Sequence, residues 1–167
     1  DLGLIVSFGK HVGVCDLQNS SSIEQRVEDL HEAFADKNVK GILTVIGGFN
    51  SNEILPYIDY ELLKQNPKVL CGFSDITALA NAISTKCHFV TYSGPHFSSF
   101  QMTGLQQYQT EYFIKCLMHE AAYEVMPSTH WSDDLWFLDQ GNRLYEETSW
   151  KIYSHGEATG RVFGGNL

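Results

Sequence analysis

Apolar positions in this chain fall into two rhythms. Short β-branched runs alternate with longer stretches in which apolar residues recur every three or four positions. The run "GLIVSFG" near the start predicts a strand. In "SSSIEQRVEDLHEAFAD", Ile23, Val27, Leu30 and Phe34 line one helical face, and Ser21 with Glu24 or Ser22 with Gln25 offers a capping box at its start. "VKGILTVIGG" is an apolar run ending in two glycines, which predicts a parallel strand buried on both sides. A helical stretch broken near Pro56 follows, then the strand "KVLCG" and a helix over "DITALANAI", with Ile76, Leu79, Ala80 and Ile83 on one stripe. "HFVTYSGP" predicts a further strand and "QQYQTEYFIKCLMHE" a further helix.

Strand and helix thus alternate with short connections. That order predicts an α/β domain, a parallel sheet with helices on both faces. After about residue 122 the rhythm is lost. Residues 123–167 are rich in Trp, Tyr and Thr and contain no convincing helix. They are expected to be strands and loops that open a second domain, leaving 1–122 as the α/β domain. The chain starts inside a strand-like run and stops just after the turn residues "GGN". Both ends are therefore expected to be cut, with a first strand missing before residue 1.

Composition narrows the class. The 167 residues are 43% apolar and 13% aromatic, which suits a globular fold with a proper core. Twenty acids against 11 bases leave a net charge of −9, which disfavours nucleic acid or an anionic membrane as partner. No apolar run reaches the roughly 20 residues needed to span a bilayer, and no signal peptide is visible. Cys15, Cys71, Cys87 and Cys116 form no CxxC pair, so reduced thiols in a cytoplasmic protein are expected. The histidines lack HExxH or HxH spacing, and no metal site is expected.

The chemistry concentrates at one corner, "LCGFSDITALANAI". Ser74 lies where a strand passes into a helix. Ligands of parallel α/β sheets bind beyond the carboxyl ends of the strands, and a helix N-terminus favours developing negative charge. Gly72-Phe73-Ser74-Asp75-Ile76 matches the nucleophile elbow G-x-S-x-G except for the second glycine. The plainer alternative is a serine that only caps the helix. Gly47 and Gly48 end another strand, either as an oxyanion-binding wall or as an ordinary turn. A nucleophilic serine also needs a base. His88, His96, His119 and His130 are available, but none has a context that marks it, and His96 in "SGPHFSS" reads more readily as a loop histidine than as the base.

Taken in order, "ILTVIGGFNSNEILPYIDY", "KVLCGFSDITALANAI", "VTYSGPHFSSF", "WSDDLWFLDQ" and "GRVFGGNL" resemble the serine peptidases of the LD-carboxypeptidase family, closest to its branch of microcin C immunity proteins. The resemblance covers nearly the whole chain. It implies that Ser74 is the nucleophile and that the N–H groups of Asp75 and Gly48 form the oxyanion hole. It implies a catalytic Glu and His beyond Leu167, so that this piece alone is inactive. It places Trp131 or Trp136 of "HWSDDLW" over a nucleobase, where an aromatic face can stack, the alternative being packing between domains. It puts Asn166 at the substrate cleft, against the alternative of a turn asparagine.

The implied reaction is amide hydrolysis through an acyl-enzyme, with no metal or organic cofactor. The immunity branch implies an aminoacyl-nucleotide of the microcin C type as substrate. The carboxypeptidase branch implies a murein tetrapeptide. The resemblance also implies a homodimer. Two other readings stay open: an amidotransferase-like domain with Cys71 as nucleophile, and a domain that sequesters a nucleotide-like ligand without cutting it.

Overall fold

A computed structural model describes residues 2–166. The chain divides into two compact units, the first reaching to His96 and including Gly164 onward, the second covering Phe97–Phe163.

The first unit is built on three parallel strands, β1 (Gly41–Leu43), β2 (Val69–Gly72) and β3 (Tyr92–Ser93), in the order β1-β2-β3. Ile42 pairs with Leu70 and Cys71 with Tyr92. The helices are α1 (Ile23–Ala35), α2 (Tyr60–Gln65) and α3 (Ile76–Cys87), with a 3₁₀ segment at Ser51–Tyr57 that contains Pro56. The parallel sheet and its helices are those that the alternation of patterns predicts. Leu30 and Phe34 of α1, Leu63 of α2, and Leu79 and Ile83 of α3 form one cluster with Leu70, Ile54 and Ile58.

The start of α1 is a full capping box. Ser22 Oγ accepts from the Gln25 N–H while Gln25 Oε1 accepts from the Ser22 N–H. Of the two pairs that the sequence offers, Ser22 with Gln25 is used. Asp59 caps α2 in the simpler way, accepting from the Leu62 N–H at 2.9 Å.

Two strand expectations need correction. Residues 3–9 join neither sheet, and Leu4, Ile5, Val6 and Phe8 are exposed. An apolar β-branched run becomes a strand only beside a partner, and the described sheet ends at β1. For the same reason β1 is not buried on both sides. Only Gly41–Leu43 pair with β2, and Val45 and Ile46 beyond them are exposed.

The second unit holds α4 (Gln106–Leu117) and a two-stranded antiparallel ribbon, β4 (His130–Trp131) with β5 (Glu146–Glu147). The loss of helical rhythm expected after about residue 122 corresponds to this ribbon and its loops. Phe100 meets Phe113 edge to face at 5.1 Å. The Tyr112 hydroxyl accepts from the Met126 N–H, and the Tyr108 hydroxyl donates to the Met126 carbonyl, each at 2.6 Å. Among the described residues no helix is long and apolar enough to cross a membrane.

A candidate active site at the carboxyl ends of the strands

The loops that leave β1, β2 and β3 converge at one end of the sheet. They carry Thr44 to Gly48, Ser74, and His96 respectively. This is the end of a parallel sheet at which ligands bind.

Ser74 occupies the turn between β2 and α3 with φ +60°, the left-handed region that non-glycine residues rarely adopt. Such a conformation costs about 1–3 kcal/mol and is concentrated at functional sites. It is also the backbone of a nucleophile elbow. The helix cap reading fails on geometry. The N-cap residue of α3 is Asp75, which makes no side-chain cap, and the Ser74 hydroxyl makes no hydrogen bond among the described residues. Its carbonyl accepts from the Thr77 N–H at 3.0 Å, so the backbone alone starts the helix. The side chain is left half-buried at the rim.

The departure from G-x-S-x-G has a physical explanation. A Cβ on Gly72 would lie 2.9 Å from Ile76 Cγ2 and press on Thr44 Oγ1. The glycine before Ser74 is thus required by the isoleucine that stands where the pattern has its second glycine. Small size is needed on one side of the turn, and Ile76, which is buried, fills the space that results.

The glycine pair lies against this turn. A Cβ on Gly47 would sit 3.1 Å from Ser74 Cβ, 3.3 Å from Ser74 Oγ and 3.4 Å from His96 Nε2. Gly48 has φ +146°, open only to glycine, and its Cβ position faces Asp75 Oδ2 at 3.7 Å. The contact is pinned from both directions. Asp75 Oδ2 accepts from the Ser51 N–H at 2.8 Å, and the Ser51 hydroxyl donates to the Asp75 carbonyl at 2.6 Å. Arg26 holds the same loop, donating to the Asn50 carbonyl and to Glu53, each at 2.8 Å. The loop after β1 is therefore a fixed wall.

His96 completes the cluster. It is 3% exposed, its ring stacks on Phe73 at 4.2 Å, and its Nδ1 is 2.9 Å from Thr44 Oγ1. Its Nε2 is buried without a hydrogen-bond partner among the described residues. Burial lowers the imidazole's affinity for a proton below the ordinary histidine range, which favours its neutral form. Sequence reasoning offers His96 only as one of several histidines. Its tie to Thr44, 52 residues away in the chain, has no local signal.

Each of the other candidates has surroundings of its own. Cys71 lies inside β2, 2% exposed, with Sγ near the Pro95 carbonyl at 3.7 Å, a poor position for a nucleophile. His88 is the left-handed C-cap of α3. Asn166 is exposed, two residues beyond Gly164, whose carbonyl accepts from Asn81 Nδ2 on α3. In the second unit Trp131 is exposed on β4, Trp136 packs edge to face on Phe137, and His130 Nδ1 lies 3.0 Å from Thr129 Oγ1. His119 follows the end of α4. Among the described residues, no three His, Cys, Asp or Glu side chains are grouped to hold a metal ion.

Residues 1–94 match the model of the LD-carboxypeptidase N-terminal domain. YocD of Bacillus subtilis, named as a candidate carboxypeptidase, is 53% identical over 99% of this chain and 51% of its own length. The microcin C7 self-immunity protein MccF of Escherichia coli is 33% identical over 99% of this chain and 50% of its own length. The crystal structure of an MccF-like protein from Bacillus anthracis superposes with a TM-score of 0.86 at 56% identity, covering 87% of this chain and 44% of that one. The chain spans about half the length of the curated relatives it matches.

Proposed function

The chain belongs to the LD-carboxypeptidase family, and from that premise we propose that it carries the nucleophile of a serine hydrolase that cuts an amide bond. The observation that carries the reading is Ser74 at φ +60° on the strand-to-helix turn, with Oγ against the Gly47 wall. Ser74 Oγ attacks the amide carbon, and its proton passes to a general base. The N–H groups of Asp75 and Gly48 stabilise the oxyanion, where each such donor is worth a factor of about 10²–10³. The C–N bond then breaks, the amine leaves with the proton, and water hydrolyses the resulting ester.

The base lies outside this cluster, in a Glu–His pair supplied by the part of the relatives that this chain does not span. His96 is poorly suited to be that base, because a threonine hydroxyl rather than a carboxylate holds its Nδ1.

The substrate is an aminoacyl-nucleotide, with Trp131 or Trp136 stacking on its base and Asn166 at the cleft. Structures of MccF hold aspartyl sulfamoyl adenosine and glutamyl sulfamoyl guanosine. Similarity to MccF runs along 99% of the chain and includes the tryptophan-bearing segment. Similarity to the murein tetrapeptide carboxypeptidase of Pseudomonas aeruginosa covers 48%. A murein tetrapeptide is the second reading, favoured by that match and by the probable murein peptide carboxypeptidase of Bacillus subtilis, 38% identical over 59% of this chain.

The full-length protein should release the nucleoside sulfamate from aspartyl sulfamoyl adenosine faster than it releases D-alanine from a murein tetrapeptide. Ser74→Ala should lower the rate at least about a thousandfold with an unchanged melting temperature. Undiminished turnover by that variant refutes the nucleophile, and a reversed substrate order refutes the nucleotide reading. An uncut ligand recovered from the native protein points to sequestration.

A further inference from the structure

His96 has a polar atom that the reaction above does not use. Its Nε2 is buried without a hydrogen-bond partner among the described residues, and it lies beside Gly47 as Ser74 Oγ does, since one Cβ position on Gly47 lies within 3.4 Å of both. The other ring nitrogen decides what Nε2 can do. Thr44 Oγ1 donates its single proton to the Cys71 carbonyl at 3.4 Å, a group that can only accept. Both Thr44 contacts then exist together only if His96 Nδ1–H donates to Thr44 Oγ1 at 2.9 Å. That tautomer leaves Nε2 as a bare acceptor. The stack on Phe73 fixes the ring in place.

We propose that His96 is a substrate-binding residue, its Nε2 accepting a hydrogen bond from the N–H on the α-carbon of the acyl group delivered to Ser74. An acyl carbon under attack by Ser74 Oγ carries its α-nitrogen two bonds away, on the side where Oγ and Nε2 flank Gly47 at 3.3 and 3.4 Å from its Cβ position. Gly47 puts no side chain between the two atoms. The selected substrates are then acyl donors derived from α-amino acids, whether their nitrogen is free or already in a peptide bond. Simple carboxylic amides lack this donor. The inference rests on reading Ser74 as the nucleophile.

The test uses two activated esters that differ in one atom, the p-nitrophenyl ester of N-acetylalanine and that of O-acetyl-lactate, in which oxygen replaces N–H. The full-length protein should show a kcat/KM about tenfold higher for the N–H ester, the size of one hydrogen bond. His96→Phe keeps a ring to stack on Phe73 and His96→Asn keeps a donor toward Thr44. Both should bring the ratio to about one. Covalent labelling of Ser74 by a fluorophosphonate should still occur in both variants. The proposal is overturned if the native protein does not discriminate between the esters. It is also overturned if either folded variant keeps the tenfold ratio, or if both variants lose their circular dichroism, which makes His96 a packing residue. If native Ser74 takes no label and neither ester is cut, the nucleophile itself fails, a result distinct from labelling without discrimination.

Discussion

Ser74 and Gly47 touch across the top of the sheet, and their contact sets what a single substitution does. Gly47→Ala would place a methyl 3.3 Å from Ser74 Oγ and 3.4 Å from His96 Nε2, tight but open to small shifts. Activity should fall about a hundredfold or more, while the urea midpoint changes little. A stable variant with native activity would contradict the wall. Gly72→Ala meets the side chains of Ile76 and Thr44 at the strand-to-helix turn itself. It should cost about 1–3 kcal/mol by overpacking, which urea unfolding would read, and Ile76→Ala in the same chain should recover part of that loss. At this scale the sequence was informative where chemistry is local. Gly72, Ser74, Asp75 and the glycine pair sit in short runs whose residue types declare the turn. The Thr44–His96 tie and the Asp75–Ser51 tie join distant segments, 52 and 24 residues apart. Only folding brings those together.

Helices were more legible than strands, for a reason that lies in their bonding. A helix satisfies its own backbone, so the spacing of Ile23, Val27, Leu30 and Phe34 and the Ser22–Gln25 box define α1 almost to its ends. A strand depends on a neighbour, and so the apolar run at residues 3–9 joins no sheet while β3 shrinks to Tyr92–Ser93. Ser22→Ala removes one half of the box and should cost about 1 kcal/mol, with the midpoint of thermal unfolding as the measure. Ile83, fully buried where α3 meets the core, should cost about 2–5 kcal/mol when cut to alanine. A smaller loss there than at Ser22 would contradict the core as described.

The sheet as a whole positions the site, because its three strands run parallel and release their loops at one end. The buried histidine at that end makes stability depend on pH. Burial lowers the affinity of His96 for a proton relative to its ordinary value of 6.5. Below about that pH the unfolded chain binds more protons than the folded one, so this contribution falls as pH drops and is constant above it. The urea midpoint of the native protein should therefore decline more between pH 7.5 and 5.5 than that of His96→Phe. Equal declines would mean that His96 is solvated. The central claim is that Ser74 is the reacting nucleophile, and peptide mapping by mass spectrometry after fluorophosphonate treatment tests it most directly. One phosphonyl group on the peptide bearing Ser74, absent from Ser74→Ala, is the predicted result. A native protein that stays unmodified, or is modified at any other residue, contradicts it.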